Sequence, residues 1–431
     1  MSKVSIVVVG AGSRGYGYAQ YAKSFPDEAE VVAVCEPRKE WREKFANEHG
    51  LSKDKCFLDW KDLLNQPKLA DAALICTAEN LHRDIAVALA GKKYHLLLEK
   101  PMAPTEQECL EIYDAVTKNK VILAVCHVLR YTNWFTKLKS MVDSGMIGKV
   151  RHIAATELVG YWHFAHSFVR GNFRNETITS PFLLAKCCHD IDLLNVLVPS
   201  RCAKVSSFGR LSHFKRENQP NGAADRCVDC PVHIESQCPY SAVKIYLRDA
   251  LDRLTGWPVN MLTTDTTPSG VGKALKEGSY GRCVYACDND VCDHQVVNFE
   301  FEDGTTVGFI TTAFAVGGRD YFIMGDKGSL RFTEDAIIHN DFLFGPAGRE
   351  TRHSITNGDN TILSGHGGGD FGLMKQFLAA VGKGDSSAIC TGPEVSIESH
   401  MIVFAAERAR KSGKVELIQK LDMKGGGTAE K

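Results

Sequence analysis

The chain has no charge excess. Its 431 residues carry 51 Lys and Arg against 52 Asp and Glu, a formal net charge of −1. Nothing in that balance would hold nucleic acid or an anionic membrane surface. It also lacks long apolar runs, and no stretch approaches the ~20 residues that a membrane-spanning helix needs. The first ten residues already form an apolar strand. That leaves no room for a secretory leader, and a cytoplasmic protein is the expectation. Cysteine, by contrast, is plentiful at 15. Without a secretory signal these residues read as reduced thiols, the clustered ones as candidate metal ligands. At this length, with 44% hydrophobic and 24% charged residues, a soluble chain of two domains is expected.

Val4-Ser5-Ile6-Val7-Val8-Val9 is a β-branched strand, followed at once by Gly10-Ala11-Gly12-Ser13-Arg14-Gly15 and a helix predicted over 16–24. This is G-x-G-x-x-G between strand and helix, the context in which it binds a dinucleotide. Gly10 allows the tight turn, Gly12 the approach of the pyrophosphate and Gly15 the close packing of the helix. Ser13 and Arg14 lie on the helix N-terminus, where free N–H groups favour anions. A second strand, residues 31–35, ends in Glu36, placed for ribose hydroxyls and against a 2′-phosphate. That favours NAD, while Arg38 leaves NADP open. A third strand over 72–77 leads into Ala78-Glu79-Asn80-Leu81-His82. Thr77, Asn80 and His82 are assigned to the loop facing the cofactor, with a helix-capping role equally open to His82. Thr105 reads as an N-cap with Glu108 as its capping-box partner. A last strand over 121–126 completes a doubly wound parallel Rossmann domain over residues 1–125, with the second domain at 126–431.

The apolar run His95-Leu96-Leu97-Leu98 ends in Glu99-Lys100-Pro101. Ligands of an open α/β sheet lie outside the carboxyl ends of its strands, so Glu99 and Lys100 stand beside the nucleotide. The proline disfavours helix at Lys100 and permits a cis bond. Together with the Gly-rich turn and Cys188-His189-Asp190-Ile191-Asp192, this tripeptide resembles the Gfo/Idh/MocA oxidoreductases. The resemblance implies a C-terminal α/β domain with an open, mostly antiparallel sheet. It also implies a tightly held nicotinamide cofactor, a sugar, inositol or related polyol as substrate, and sheet-to-sheet homodimers or homotetramers. In that family the lysine binds the reacting hydroxyl, and the catalytic stretch reads Asp-x-x-x-His. Here His189 takes the histidine position and Ala185 the acid position, a departure from the pattern; Lys186 is adjacent.

The strand predicted over 150–158 leads into a dense polar and aromatic segment. Tyr161, Trp162, His163, His166, Arg170, Asn172 and Arg174 fall within fourteen residues. Aromatic faces stack on sugar rings, and Arg or Asn groups bond hydroxyls or carboxylates, so these residues are candidates for substrate contact; a loop packed on the core is the other reading. His127 and Arg130 fall where the chain enters the second domain and are candidates for the same cleft, or for structural roles. His366, in Gly365-His366-Gly367-Gly368-Gly369-Asp370, is a further substrate candidate, and Asp370 reads as an N-cap.

Residues 213–295 read as an insert. Cys227-x₂-Cys230-x₇-Cys238 supplies three thiols for a structural zinc site, with Cys283 the first choice for the fourth, then Cys287 and, more weakly, His233. Buried reduced cysteines or an iron–sulfur cluster are the alternatives. A helix is expected over 239–254.

These residues point first to an NAD(P)-dependent oxidoreductase of a carbohydrate-like alcohol. His189 serves as base and Lys100 stabilises the alkoxide, with Lys186 as the cation that tunes Lys100. The alternatives are a redox-neutral glycosidase working through a transient keto-sugar and a non-catalytic NAD-binding protein.

Overall fold

The computed structural model describes residues 2–248, 256–355 and 365–421. The first sheet is wholly parallel, built from β1 (Val4–Val9), β2 (Ala29–Cys35), β3 (Cys56–Phe57), β4 (Ala72–Ile75), β5 (His95–Leu98) and β6 (Leu123–Val125). Its spatial order is β3-β2-β1-β4-β5-β6. The order reverses between β1 and β4, so a crevice opens beyond their carboxyl ends. Strands covered by helices on both faces are continuously apolar; every residue of β1 except Ser5 is buried. The capping prediction at Thr105 holds: its hydroxyl accepts from Glu108 N–H.

The second sheet has nine strands, β7 (Val150–Gly160), β8 (Cys202–Arg210), β9 (His294–Phe301), β10 (Thr306–Ala315), β11 (Gly318–Gly325), β12 (Gly328–Thr333), β13 (Ala336–Asp341), β14 (Arg349–Ser354) and β15 (Glu416–Leu417). Their order is β14-β13-β12-β11-β7-β10-β9-β8-β15. Only the β7–β10 pair is parallel, so the sheet is mixed and mostly antiparallel, as expected. The helix Phe182–Leu197 is buried on nearly every side against it. This explains its unbroken run of apolar residues and makes its few polar groups conspicuous.

Two C-terminal helices return to the first sheet. Leu373, Met374 and Phe377 of Gly369–Lys383 share a core with Val4, Ile6 and Val8. Ile397 and Met401 of Pro393–Ser412 pack with Leu96 and Leu98. Each such side chain contributes about 1.5–3 kcal/mol, and together they fix the cleft between the sheets. The insert has a small core of its own, around Tyr246, Val259, Val271 and Leu275. Of the helix expected over 239–254, residues 242–248 are helical, with a wide turn at Lys244–Arg248, and 249–255 lie outside the described residues. Among the described residues no helix is long and apolar enough to cross a membrane.

Candidate active site

Helix Ser13–Ser24 starts directly after Gly12, which gives it no side-chain cap, so its first N–H groups stay open to an anion. Gly10 has φ +91°, and a Cβ there would lie 2.6 Å from the Cys76 carbonyl oxygen; at Gly15 it would lie 2.0 Å from that of Gly10. The turn thus permits no side chain at either position. A cavity of about 670 Å³ opens beside it, lined by Gly10, Gly12, Glu36, Arg38, Trp60 and Thr77 among others. This is the geometry a pyrophosphate with an attached ribose requires. Glu36 accepts from Ala11 N–H at 2.9 Å and from Arg38 Nε at 2.7 Å. Burial opposes its anion, but Arg38 holds it below the usual carboxylate range.

Two candidates of the cofactor loops, Arg14 and His82, turn inward. Arg14 turns inward to Glu99 at 2.7 Å, to Asp370 at 2.7 Å and to Tyr18. His82 is buried, bonded to the carbonyls of Pro101 and Thr77, so it braces the Lys100 turn instead of facing a ligand. Asn80 is exposed, as is Ser13 at the helix start. Asp370 does not cap its helix: Gly368 holds the cap position, and the Asp370 carboxylate goes to Arg14.

Lys100 follows β5, and the Lys100–Pro101 peptide is cis. Its Nζ donates to the carbonyl of Ala185 at 2.7 Å, which ties it to the helix carrying His189. Glu99 accepts from Arg14, from Tyr18 at 2.8 Å and from Lys100 N–H at 3.0 Å. Burial disfavours its anion, yet Arg14 brings it below its ordinary range. His189 is 5% exposed, with Nδ1 free of any hydrogen bond. Burial first, and Lys100 next, hold it well below the ordinary histidine range. Its ring lies 5.8 Å from that of His127 and 5.9 Å from that of His366. His127 is fully buried; neither nitrogen has a hydrogen bond, and its Nδ1 lies 4.0 Å from the Asp192 carboxylate. Arg130 is a structural clamp, reaching Asp192 through two hydrogen bonds at 2.6 and 3.0 Å and the Cys390 carbonyl at 2.7 Å. Lys186 pairs with Glu157 at 3.2 Å. Glu79, four residues beyond the end of β4, is 4% exposed; burial raises its carboxyl above the ordinary range, and the Ser180 hydroxyl is its hydrogen-bonding neighbour.

Residues 4–127 match the family model described as "Oxidoreductase family, NAD-binding Rossmann fold", and residues 139–417 match its C-terminal alpha/beta domain. The chain belongs to the Gfo/Idh/MocA oxidoreductase family. It is 30% identical over 144 residues to the myo-inositol 2-dehydrogenase of Thermotoga maritima, a segment covering 33% of this chain and 42% of that enzyme. The match therefore spans less than half the length of that relative. In fold it is similar to an oxidoreductase domain protein from Kribbella flavida, with a TM-score of 0.70, 18% identity and coverage of 97% and 100%. It is also similar to a levoglucosan dehydrogenase in complex with NADH and levoglucosan, with a TM-score of 0.68, 17% identity and coverage of 97% and 100%.

In this Gfo/Idh/MocA protein the aromatic segment divides in two. Trp162 and His163 lie at 5.2 and 5.0 Å from the ring of Trp257, which the insert supplies. Burial, with Lys186 next, lowers His163 to about 2, and Lys100 also acts on it. Tyr161 contacts Tyr240. The other part is structural. His166 bonds Tyr246 at 2.8 Å and stacks on Tyr280. Arg170 is wholly buried, donating to the carbonyls of Arg282 and Tyr240 at 2.7 Å each and to Cys227 Sγ at 3.4 Å. Arg174 pairs with Asp288 at 2.8 Å, and Asn172 is exposed. Arg170 and Arg174 are thus spent inside the protein. His366 faces Asp370 at 3.4 Å.

The structure gives the zinc expectation no support. Cys227, Cys230, Cys238 and Cys283 do line one small cavity, whose remaining walls include Pro220, Ala223, Ile234 and Tyr285. Among the described residues no group of three or more His, Cys, Asp or Glu side chains is placed to hold a metal ion. The sulfurs have protein partners instead: Arg170 on Cys227 and Gln219 on Cys283. Burial raises the Cys238 and Cys283 thiols, favouring their protonated form. Cys287 donates to the Cys283 carbonyl at 3.2 Å.

Proposed function

We propose that this protein is an NAD-dependent oxidoreductase of a sugar, cyclitol or sugar derivative. The observation that carries the reading is the approach of Lys100 to the His189 helix, through Ala185, at the carboxyl end of the parallel sheet beside the Gly-rich crevice. Gly10, Gly12 and the start of helix Ser13–Ser24 would hold the pyrophosphate and Glu36 the ribose. Glu36 favours NAD over NADP, and the levoglucosan dehydrogenase neighbour is described with NADH. Bound nicotinamide supplies the hydride acceptor or donor.

The chain's own residues handle oxygen and proton. Lys100 donates to the reacting hydroxyl and stabilises the oxygen as its negative charge grows. His189, neutral at ordinary pH through burial and its lysine neighbour, accepts the hydroxyl proton. The Trp162 and Trp257 rings give an apolar wall suited to a sugar ring face. A myo-inositol 2-dehydrogenase and a levoglucosan dehydrogenase among the relatives support a polyol substrate. A homo-oligomer paired through the open sheet is part of the same proposal. Phe208, Val296 and Ile310 align in register across β8, β9 and β10, and Phe208 is 62% exposed.

The test is a screen of cyclitols, hexoses and their glycosides with NAD, following both NADH absorbance and aglycone release. Substrate-dependent NADH formation supports the proposal. Release of aglycone with no net NADH would overturn it in favour of redox-neutral glycoside cleavage, and binding of NAD without turnover of any substrate would mark a non-catalytic protein.

A further inference from the structure

Adjacent parallel strands and one helix bring a second histidine against the candidate base. Cys126 N–H, just past β6, donates to the Leu98 carbonyl of β5 at 2.8 Å, so His127 and Lys100 leave the sheet side by side. On the helix Phe182–Leu197, His189 and Asp192 are three residues apart and share a face. His127 lies against both. Its ring stands edge-on to that of His189, with centroids 5.8 Å apart at 79°, and its Nδ1 lies 4.0 Å from the Asp192 carboxylate. His127 is wholly buried, and neither of its nitrogens has a hydrogen bond among the described residues; the same holds for His189 Nδ1. Buried polar atoms are seldom left so, and here three of them belong to two adjoining rings. The neighbouring His400, 5.5 Å away, has both nitrogens engaged, by Met102 N–H and by the Ser396 carbonyl. Arg130 takes one acceptor position on each Asp192 oxygen and leaves another on each. Arg130, Lys100 and Glu99 are the other charges acting on His127, and burial, the largest influence, holds it below the ordinary histidine range. It therefore rests neutral, able to take a proton.

We propose that His127 is a positioning residue for the base: it takes the proton of His189 Nδ1 as His189 accepts the substrate's hydroxyl proton on Nε2, and Asp192 stabilises the imidazolium that results. The inference rests on the proposed polyol oxidation and deepens it. The carbinol carbon gives up a hydride to the nicotinamide and its O–H bond breaks, leaving a carbonyl. One proton enters the pair of histidines, so one positive charge appears, on His127. When product leaves, the proton returns through His189. The relay has an electrostatic reason. After burial, the Lys100 ammonium is the strongest influence against a cation on His189, whereas at His127 that place belongs to the Asp192 carboxylate, which favours one. Hydrogen bonds between catalytic groups are often long in a free enzyme and tighten once substrate is bound, which suits the 4.0 Å approach to Asp192.

The experiment uses the full-length protein with NAD and the polyol that yields NADH in the screen, in mixtures of H2O and D2O. For the wild type, kcat should fall along a curve as the D2O fraction rises, the mark of more than one proton moving in the same step. His127→Gln keeps an amide that can hydrogen-bond Asp192 but holds no proton of its own to relay. It should lower kcat on the order of 10²-fold, with KM and the NADH affinity read by fluorescence within about twofold of the wild type. Its dependence on the D2O fraction should become a straight line. A straight line for the wild type, or no solvent isotope effect at all, overturns the inference while leaving polyol oxidation intact, and that measurement needs no variant to fold. A His127→Gln protein with kcat within about threefold of the wild type, or with the wild-type curvature at any rate, also overturns it and makes His127 a packing residue. A wild-type enzyme that oxidises none of the polyols overturns the proposed function and this inference with it.

Discussion

Acid should unfold this protein well above the pH at which its carboxylates titrate, because it buries neutral histidines. His400 is fully buried; its Nε2 accepts from Met102 N–H at 2.9 Å, and its Nδ1 lies 2.7 Å from the Ser396 carbonyl. A proton added at Nε2 would face a donor. His166, 3% exposed, bonds the Tyr246 hydroxyl. Burial lowers both to about 3, against ~6.5 in the unfolded chain. With the folded value depressed, the unfolded chain binds protons first. The stabilising contribution is complete above ~6.5 and is lost as pH falls toward 3. Each histidine costs about 1.4 kcal/mol per pH unit within that window. Between pH 6.5 and 5 the pair therefore removes about 3 kcal/mol, and His163, lowered to about 2, raises the total to about 5 kcal/mol. That is comparable to the whole stability of many domains, about 5–15 kcal/mol. Urea denaturation at pH 7.5, 6.5, 5.5 and 5.0 measures it. The midpoint should be level between 7.5 and 6.5 and fall steeply below. A midpoint constant from 6.5 to 5.0 would mean that these histidines are not held neutral by the fold.

Other perturbations test separate parts of the structure. Arg170→Met removes the donors to the carbonyls of Arg282 and Tyr240 and should cost about 2–4 kcal/mol in urea denaturation; a loss under about 0.5 kcal/mol would place Arg170 outside the core. Gly15→Ala sets a Cβ 2.0 Å from a backbone oxygen that no rotamer change can move. The helix start must shift, and NADH affinity should fall at least about tenfold; near-wild-type affinity contradicts the tight turn. Replacing Lys100 by Met removes the ammonium that depresses His189. The His189 titration, followed by NMR, should then move upward toward the ordinary histidine range, and an unchanged titration would separate the two groups.

The Rossmann half of the molecule is written locally, which is why it could be read from residue order. A β-branched run, a glycine pattern and a following helix impose their geometry within fifteen residues, and Glu99-Lys100-Pro101 falls at a strand end that topology alone makes a ligand site. The second half depends on distant partners. Arg170 is of a type that binds substrates, and only the fold reveals that carbonyls 70 and 112 residues away use it up. Asp370 stands at a helix start, where an acid is expected to cap, yet Arg14, 356 residues distant, claims it. The cysteines do converge on one cavity as their spacing suggested, but the donors aimed at them come from Arg170 and Gln219. Nothing in the order Thr77-Ala78-Glu79-Asn80 marks Glu79 as buried; only the fold does.

The central claim is that Lys100 serves the reaction and not the fold. Lys100→Met, assayed on the substrate found in the screen together with an NADH fluorescence titration, tests it directly. In that variant kcat should fall on the order of 10³-fold, with NADH affinity within about twofold of the wild type. Loss of NADH binding, or turnover within tenfold of the wild type, would contradict it.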